Sequence, residues 1–461
     1  MDVEHVVPAD QSRAPAEEEL LDVVRRAVAH LGREPRRPIR GFQALEDPQS
    51  AHPTTVVARR ARPVPFARQH AMMRLTGHAI VADSRTAYSS GNWTEYRRST
   101  RRPVPRREPV TFVSATGPEK NLGDAVIRRQ VVRWAAAGGG PLVAYVGVSS
   151  RDWERSLGLD DRFTVLRSKS SIGRWIWLVS TSPRRSRLFF EPGEVPLGAG
   201  NVKRELVFLL LTILLRLRGG EVVRPPRAIR VSSRSPLAVH RLACRLSTIV
   251  LWREARSREA AGVGEVVPDI GFAEDVRPGR PAPDRDTLVI SMRGDRPAPS
   301  ASWLAHVKEL VATTGLRALV VSQVTDDIDR GSEIAAALEA EQQAWEPGDL
   351  VAHEELLRAT YDRSALVVSD RLHVLILASL SGAVPIELVD TPAWKVAANF
   401  DTIGFARVSF ASDGSSATSR ALLDQVGRGD ELVDRVAAAH ATLAHRWPEL
   451  DVPSPREIGG S

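Results

Sequence analysis

Residues 365–390 of this 461-residue chain have the sequence ALVVSDRLHVLILASLSGAVPIELVD. The apolar run at 365–368 has the length and the β-branched content of a buried strand. Ser369 and Asp370, both common N-cap residues, precede apolar residues at helical spacing, and a glycine after them would end that helix. A second apolar run at 384–389 predicts another buried strand. The stretch therefore predicts a strand–helix–strand unit of a parallel α/β sheet.

Arg371 and His373 would occupy the first turn of this helix, at the carboxyl end of the first strand. Ligands of open α/β sheets bind at this edge of the sheet. A helix N-terminus and a guanidinium group both favour an anion, so the two residues predict an anion site. The spacing leaves a second interpretation open, in which Arg371 pairs with an acidic residue and His373 is a buried histidine whose hydrogen bonds are satisfied.

A second candidate ligand loop lies far upstream. The apolar run at 110–114 predicts a strand, the loop ATGPEKNLGD follows at 115–124, and a helix is expected from Asp124 to about residue 137. Gly123 permits a tight turn, and Asp124 would cap the helix. The loop is similar to an anion-binding loop but lacks the repeated glycines of a dinucleotide fingerprint. A plain strand-to-helix turn remains the alternative interpretation.

Together the two stretches resemble the polysaccharide pyruvyltransferase family. The string SDRLH at 369–373, a helix with small residues, a Pro-bearing strand and the downstream Trp394-Lys395 pair carry the C-terminal part of the resemblance. Asn121-Leu-Gly-Asp124 carries the upstream part. The resemblance implies two Rossmann-like domains facing a cleft, similar to the GT-B glycosyltransferase fold. It also implies transfer of the enolpyruvyl moiety of phosphoenolpyruvate to two hydroxyls of a sugar, which makes a cyclic ketal and releases phosphate.

The resemblance spans roughly residues 109–410 and implies a set of site residues. Phosphoenolpyruvate carries a phosphate and a carboxylate, so its site needs several fixed cations and helix N-termini. The expected donor-binding residues are Asn121, Gly123, Arg253, Arg293 and Lys395, and the expected catalytic residues are His373, Arg371 and Asp124. His373 is the best-placed acid or base because an unperturbed pKa of about 6.5 suits both roles. Asp124 or Asp269 would be the second proton carrier, and the chemistry requires neither a metal nor a further cofactor.

Some positions depart from the family pattern. Only Gly198-Ala-Gly200 is present where many members have a glycine triplet before their long apolar helix. Val374 follows the histidine where a small or polar residue is commoner. Neither departure removes a charged group, so they bear on the identity of the acceptor more than on the donor site. At another strand end, Glu254 stands where aspartate is more usual, and Ser257 follows it.

Composition and charge bound the class of protein. A hydrophobic content of 43% is ample for large cores, and the single cysteine, Cys244, excludes an internal disulfide. Residues 1–110 carry 19 Arg and Lys against 13 Asp and Glu, a net charge of +6 out of +7 for the chain. The nearly neutral remainder argues against a nucleic-acid interface across the core. The basic arm could contact anionic lipid, although a solvated Arg-rich tail explains it more simply.

The chain divides into three parts. Residues 1–108 form an N-terminal extension with one amphipathic helix at 16–33 and a basic Pro/Arg-rich linker. Residues 109–275 are expected to form the first Rossmann-like domain. A Pro-rich hinge leads to the second Rossmann-like domain with its terminal helices, residues 286–461. The apolar run at 207–215 is too short to span a membrane and predicts a core helix, with an interfacial position near a lipid-linked substrate as the alternative.

The leading functional hypothesis is a pyruvyltransferase acting on a cell-wall or extracellular polysaccharide, with a glycan or lipid-linked saccharide as acceptor. One alternative is a GT-B-type glycosyltransferase that uses a sugar nucleotide. The other is a non-catalytic, glycan-binding descendant, in which the cluster of cations would fail to converge. The N-terminus shows no signal peptide, so we expect a cytoplasmic location, at the inner face of the membrane if the basic arm contacts lipid. The sequence carries no signal for an oligomeric state.

Overall fold

The computed structural model of the protein describes residues 108–277, 284–343, 345 and 349–446. The amphipathic helix expected at 16–33 and the linker that follows it lie outside these ranges. Within them, the chain forms two parallel β-sheets with helices on their faces. The predicted architecture of two parallel α/β domains is confirmed.

The first sheet contains eight parallel strands. They are β1 (Thr111–Ser114), β2 (Leu142–Gly147), β3 (Thr164–Arg167), β4 (Arg187–Phe189), β5 (Gly193–Leu197), β6 (Glu221–Val231), β7 (Ile249–Trp252) and β8 (Glu265–Val266). Their order is β3-β2-β1-β4-β6-β7-β8, and β5 pairs with the second half of β6. The strand order reverses between β1 and β4, which creates a crevice at the carboxyl ends of these two strands.

The second sheet contains six parallel strands. They are β9 (Thr287–Ser291), β10 (Arg317–Val321), β11 (Glu341–Gln343), β12 (Ser364–Ser369), β13 (Val384–Val389) and β14 (Ser409–Ala411). Their order, β11-β10-β9-β12-β13-β14, is the order of a doubly wound dinucleotide-binding fold. The order reverses between β9 and β12, so the stretch that opens the sequence argument lies at this second crevice. Both strands are almost entirely buried because helices cover both faces of the sheet.

Thirteen helices surround the two sheets in the described part of the chain. Those of the first domain are α1 (Leu122–Ala137), α2 (Arg151–Ser156), α3 (Ser171–Ser180), α4 (Val202–Leu217), α5 (Arg234–Leu246) and α6 (Ala255–Ala261). Those that follow are α7 (Ala301–Thr314), α8 (Ile328–Leu338), α9 (Leu350–Asp362), α10 (Leu372–Leu380), α11 (Trp394–Asp401), α12 (Ser416–Leu423) and α13 (Gly429–Arg446). None of the helices in the described ranges is long and apolar enough to cross a membrane.

Helix α10 lies at the centre of the second domain. It is apolar on all sides, and every residue in it except His373 is buried. A helix of this kind belongs to a protein interior, where both flanking strands and other helices cover it. His373 is therefore the one residue of α10 that reaches the space outside the core, and the neighbouring residues fix its position.

The helix starts differ from the sequence prediction by one to three residues. Helix α1 begins at Leu122 with Asn121, not Asp124, as its N-cap, and the Asn121 side chain accepts a hydrogen bond from the Asp124 backbone N–H. Helix α10 has Arg371 at its N-cap, not Ser369 or Asp370. The Ser369 hydroxyl instead accepts a 3.0 Å hydrogen bond from the Arg371 N–H. In both loops a side chain ahead of the helix thus accepts a hydrogen bond from a backbone N–H group at the helix start, which would otherwise lack a partner.

The longest strand was only partly predicted. The sequence predicted a strand at 228–231, whereas β6 runs through Pro225 and Pro226. Residues before the prolines pair with β4, and residues after them pair with β5. The missing proline N–H groups therefore fall at the change of partner, where no ladder bond is lost. The strands β5 and β11 are both short, with five and three residues.

A buried ion network joins the two domains. The Arg129 guanidinium, on α1, donates two 2.7 Å hydrogen bonds to Glu354 on α9 and one of 2.8 Å to Glu274 in the connection between the sheets. Arg358 donates to the same two carboxylates, at 2.8 and 3.0 Å. Burial would raise the pKa of Glu274, but the charges of Arg129 and Arg358 hold it well below its ordinary value. Two cations and two carboxylates thus balance each other at the domain contact.

Candidate functional site

The carboxyl edges of the two sheets enclose a cavity of about 570 Å³. One wall comes from the first sheet, where Ser114 and Glu191 mark the ends of β1 and β4. The opposite wall comes from the second sheet, where Arg293 and Arg371 mark the ends of β9 and β12. The cavity therefore lies where the strand orders of both sheets reverse, which is the expected binding position in folds of this kind.

The cavity brings together seven of the eight site residues that the sequence suggested. They are Asn121, Asp124, Arg253, Arg293, Arg371, His373 and Lys395. The eighth, Gly123, lies directly against the side chain of His373. Asn121 and Lys395 are 274 positions apart in the chain, and only the packing of the two domains makes these residues neighbours. The convergence argues against a glycan-binding descendant without a formed site.

His373, in the second domain, contacts the first turn of α1 in the first domain. A Cβ atom at position 123 would lie 2.6 Å from the His373 Cβ, so only glycine lets the imidazole occupy this place. The His373 Nε2 is buried and has no hydrogen-bond partner among the described residues, and it lies 3.8 Å from Asp269 Oδ2. The contact with position 123 thus fixes one side of the ring, and Nε2 faces the Asp269 carboxylate.

Asp269 and Arg253 form a buried pair next to His373. Arg253 Nη1 donates a 2.9 Å hydrogen bond to Asp269 Oδ2, and both side chains are 1% exposed. The Gly271 N–H donates to the other carboxylate oxygen. Burial would raise the pKa of Asp269, but the His373 imidazole and the Arg253 charge hold it far below its ordinary value. Asp269 therefore stays ionised and positions its neighbours, which makes it unsuitable as a proton carrier near neutral pH.

Arg371 is occupied by an acidic partner that the sequence did not reveal. Its Nε and Nη2 atoms donate to the two carboxylate oxygens of Asp327, with the Nη2 bond at 2.6 Å. Asp327 is 1% exposed and also accepts the Gly294 N–H. The guanidinium fork expected to bind the donor thus holds a protein carboxylate, which corrects that part of the sequence interpretation. Arg371 can offer a ligand its remaining nitrogen, Nη1, and its charge.

Asp124 is likewise held by neighbouring residues. Arg128 Nη1 donates to Asp124 Oδ1, and Asn121 Nδ2 donates a 2.7 Å hydrogen bond to Asp124 Oδ2. Arg128 also donates to the Thr116 carbonyl, which ties the loop to the end of β1. Both oxygens of Asp124 therefore have partners, so the structure favours a positioning role for it over proton transfer.

Two further cations reach the cavity from opposite sides. Arg293 donates to Asp295 through Nε, at 2.7 Å, and its side chain is 31% exposed. Lys395 Nζ lies 3.4 Å from Glu194 of the first domain. Burial and the nearby charge of Arg253 lower the pKa of Lys395. An anion bound beside Lys395 would offset both effects.

The pair that follows β7 has a structural role. Glu254 accepts a 2.5 Å hydrogen bond from the Ser257 hydroxyl, and Ser257 in turn accepts the Ile229 N–H. Burial raises the pKa of Glu254. These bonds fix the start of α6 against β6 and point Arg253 into the cavity.

The sequence analysis missed five arginines that line the cavity, namely Arg128, Arg204, Arg224, Arg227 and Arg296. Arg224 and Arg227 flank the two prolines of β6 and line the first-domain wall. A Pro-Pro pair argues against a strand, so this segment was not treated as a sheet edge. Within the described ranges, no three His, Cys, Asp or Glu side chains are grouped as a metal site requires.

One protein-family model matches a segment of the chain that contributes residues to this site. Residues 233–386 match the family model of polysaccharide pyruvyl transferases. The resemblance inferred from SDRLH is thereby confirmed, and the match points to a transferase. The matched segment runs from the start of α5 into β13 and contains Arg253, Arg293, Arg371 and His373. None of the curated proteins matches the sequence at a significant level.

Several solved structures share parts of this architecture. Anabaena HepE in complex with UDP and glucose is 12% identical, with a TM-score of 0.43 over 74% of this chain and 95% of that one. The glycotransferase of kitacinnamycin is 14% identical, with a TM-score of 0.43 over 75% and 100% of the two chains. A putative UDP-N-acetylglucosamine 2-epimerase from Listeria monocytogenes is 14% identical, with a TM-score of 0.42 over 75% and 99%. Similarities at this level support no statement about substrate.

Proposed function

We propose that this protein transfers a pyruvyl group, as a ketal, from phosphoenolpyruvate to a saccharide of a cell-wall or extracellular polysaccharide. The observation that carries the proposal is the position of His373. His373 lines a cavity together with Arg253, Arg293 and Lys395, and its Nε2 has no hydrogen-bond partner among the described residues. The reaction requires a site that binds a doubly anionic donor and supplies a proton carrier.

The cations on both sides of His373 suit phosphoenolpyruvate. Arg253 has a buried Nε with no hydrogen-bond partner among the described residues, and burial lowers the pKa of Lys395. A phosphate or carboxylate placed between them would gain charge-assisted hydrogen bonds from both. Arg371, held by Asp327, would contribute charge from the N-terminus of α10, where an anion is also favoured.

The proton balance assigns His373 its role. The methylene carbon of phosphoenolpyruvate gains one proton, and carbon 2 forms bonds to two sugar oxygens while its bond to the phosphate oxygen breaks. The two hydroxyl protons lost by the sugar end on the methyl group and on the released phosphate. His373 can donate to the methylene carbon through Nε2 and then take a hydroxyl proton, so one residue can serve both steps.

The acceptor we propose is a glycan or a lipid-linked saccharide, and the location is the cytoplasm. A single buried cysteine, Cys244, has no partner for a disulfide, which accords with a reducing compartment. No cofactor beyond phosphoenolpyruvate as co-substrate enters the proposal.

A phosphate-release assay tests the proposal directly. The full-length protein is incubated with phosphoenolpyruvate and a panel of glycosides, and product mass is measured together with phosphate. We expect phosphate release that depends on the acceptor, with a ketal-bearing product. Release of nucleoside diphosphate from a sugar nucleotide, without any reaction of phosphoenolpyruvate, would establish the glycosyltransferase alternative instead.

A further inference from the structure

Arg224 and Arg227 place two positive charges inside the first-domain wall of the cavity. They are 0% and 3% exposed. Burial and the charge of Arg224 lower the pKa of Arg227 to about 9, so it remains protonated near neutral pH. Two cations at such depth need compensating negative charge, because desolvation penalises a buried unpaired ion.

Hydrogen bonds within the protein satisfy only part of this pair. Arg224 Nε donates to Ser247 at 2.9 Å, and Arg227 Nη1 lies 3.5 Å from the Glu191 carbonyl oxygen. Each guanidinium has two further nitrogens that are buried without a hydrogen-bond partner among the described residues. They are Arg224 Nη1 and Nη2, and Arg227 Nε and Nη2. Four donors of two adjacent fork-shaped groups are therefore available to one ligand.

The local backbone explains why both side chains face the same space. Residues three apart in a regular strand point to opposite faces. The pairing of β6 with β7 shifts register between Arg224 and Arg227, across the two prolines. Both guanidinium carbons then lie over the ring of Phe190, at 4.4 and 5.7 Å from its centroid. The bulge and the ring together hold the two arginines side by side.

Neither nearby carboxylate forms a direct ion pair with the free nitrogens of the two arginines. Glu205 accepts hydrogen bonds from His240 Nδ1 at 2.7 Å and from Arg204 at 3.0 Å. The side chain of Glu191 accepts two hydroxyl hydrogen bonds of 2.5 Å from the end of β1. Each carboxylate thus has other partners, and neither forms a hydrogen bond with the free nitrogens of the arginine pair.

We propose that Arg224 and Arg227 form an oxyanion subsite that binds a phosphate or carboxylate group of the saccharide acceptor. The inference rests on the proposed function, in which the donor lies between Arg253 and Lys395 and the acceptor lies along the part of the first-domain wall formed by Arg224 and Arg227. A neutral sugar would leave the unpartnered nitrogens of both guanidinium groups without a negatively charged acceptor. A phosphorylated saccharide or a uronic acid would supply the missing charge and use the planar donors of both guanidinium groups.

Cys244 supplies a reporter for this subsite. Burial would raise the pKa of its thiol, but Arg224, His240 and Arg227 lower the pKa to about 7. An anion bound to Arg224 cancels part of that stabilisation and returns a proton to the thiolate. Because the chain has a single cysteine, loss of the ultraviolet absorbance of the thiolate reports occupancy of the subsite.

The binding test uses the full chain without phosphoenolpyruvate. Glucose 1-phosphate and glucuronate are titrated against glucose as the neutral probe, with calorimetry and thiolate absorbance as readouts. We expect one of the two anionic sugars to bind at least about tenfold more tightly than glucose and to reduce the thiolate signal. The more effective of the two shows whether the group is a phosphate or a carboxylate. Equal binding of the neutral and anionic probes, or no effect on the thiolate, would overturn the inference.

Variants separate this subsite from the donor site. Arg224→Gln and Arg227→Gln should each lose at least about tenfold in affinity for the anionic sugar, while affinity for phosphoenolpyruvate changes by no more than about twofold. Arg245→Gln, on the exposed side of the helix that carries Cys244, is the matched control. An equal loss of phosphoenolpyruvate binding would assign the pair to the donor and overturn the acceptor assignment. The wild-type titration decides the matter even if a variant fails to fold.

The two proposals fail in different ways. If phosphoenolpyruvate gives no phosphate with any acceptor, yet anionic sugars bind through Arg224 and Arg227, the pyruvyltransferase function is wrong and the subsite stands. If transfer is equally efficient to neutral and to anionic acceptors, in wild type and in both variants, the function stands and the subsite is wrong.

Discussion

His373 and Gly123 touch across the two domains, with room for no atom between them. A Cβ at position 123 would meet the His373 Cβ at 2.6 Å. The contact explains why the loop before α1 and the first turn of α10 act as one site although they lie about 250 residues apart in the sequence. It also makes Gly123 a positioning residue for the proposed proton carrier.

Gly123→Ala should therefore move the imidazole and reduce turnover. A displacement near one ångström costs about 10²-fold in rate, while phosphoenolpyruvate binding should change much less. The measurement is the kcat and KM of phosphate release. Gly173→Ala is the control, because a Cβ there has no neighbouring atoms, and its kinetics should equal those of wild type. Unchanged turnover in Gly123→Ala would show that this contact does not govern the reaction.

His373→Gln should remove proton transfer without removing the donor site. We expect turnover to fall by about 10²–10⁴-fold, with phosphoenolpyruvate affinity near that of wild type. Calorimetry for binding and phosphate release for turnover separate the two effects. His445→Gln, on the exposed side of α13, is the matched histidine control. If affinity falls and the rate on bound donor persists, His373 is a ligand clamp and not a proton carrier.

Arg371 and Asp327 should prove coupled in stability. Arg371→Ala leaves the Asp327 carboxylate buried without its main partner, which should lower the free energy of unfolding by about 3–5 kcal/mol. Arg371→Lys should recover little, because a point charge cannot form both hydrogen bonds. Urea unfolding of Arg371→Ala, Asp327→Ala and the double variant measures the coupling. Additive losses in the double variant would contradict the pairing.

Arg129 should contribute to the contact between the domains. Arg129→Met leaves Glu354 and Glu274 with Arg358 as the remaining close cation, and we expect a loss of about 3–5 kcal/mol in unfolding free energy. Arg133→Met is a control on the same helix, because Arg133 is 37% exposed and lies 3.8 Å from Glu274. It should cost no more than about 1 kcal/mol. Similar losses in both variants would show that burial of the network does not matter.

The thiol of Cys244 should titrate near neutral pH. Arg224 and Arg227 on β6 and His240 on the same helix face it, with Glu205 bonded to His240, and its pKa is lowered to about 7. In the unfolded chain the thiol keeps its ordinary, higher pKa. Ionisation of Cys244 therefore stabilises the folded protein increasingly as pH rises from about 7 to about 8.5, and this stabilisation is lost as pH falls through the folded pKa. Thiolate absorbance against pH gives the value. Arg224→Gln should raise it, whereas Arg245→Gln should not.

The sequence by itself determined the fold class and the position of the central loop. Apolar runs at 365–368 and 384–389 could only be buried strands around a buried helix, which is why Arg371 and His373 were placed at a sheet edge from pattern alone. The local sequence pattern predicts such features because buried strands and helices require apolar residues at characteristic spacings. The family motifs then linked this edge with the loop at Asn121, and the cavity contains both.

Only the tertiary structure decided which charges remain available to a ligand. Asp327 and Asp269 lie 44 and 16 residues from the arginines they bind, and no local spacing predicts such pairs. The Arg224–Arg227 pair was hidden for a related reason, since two prolines argue against a strand until the change of partner from β4 to β5 is seen. Hydrogen bonding between distant residues depends on how the sheets pack, so the sequence gives the type of side chain and the fold determines its free donors.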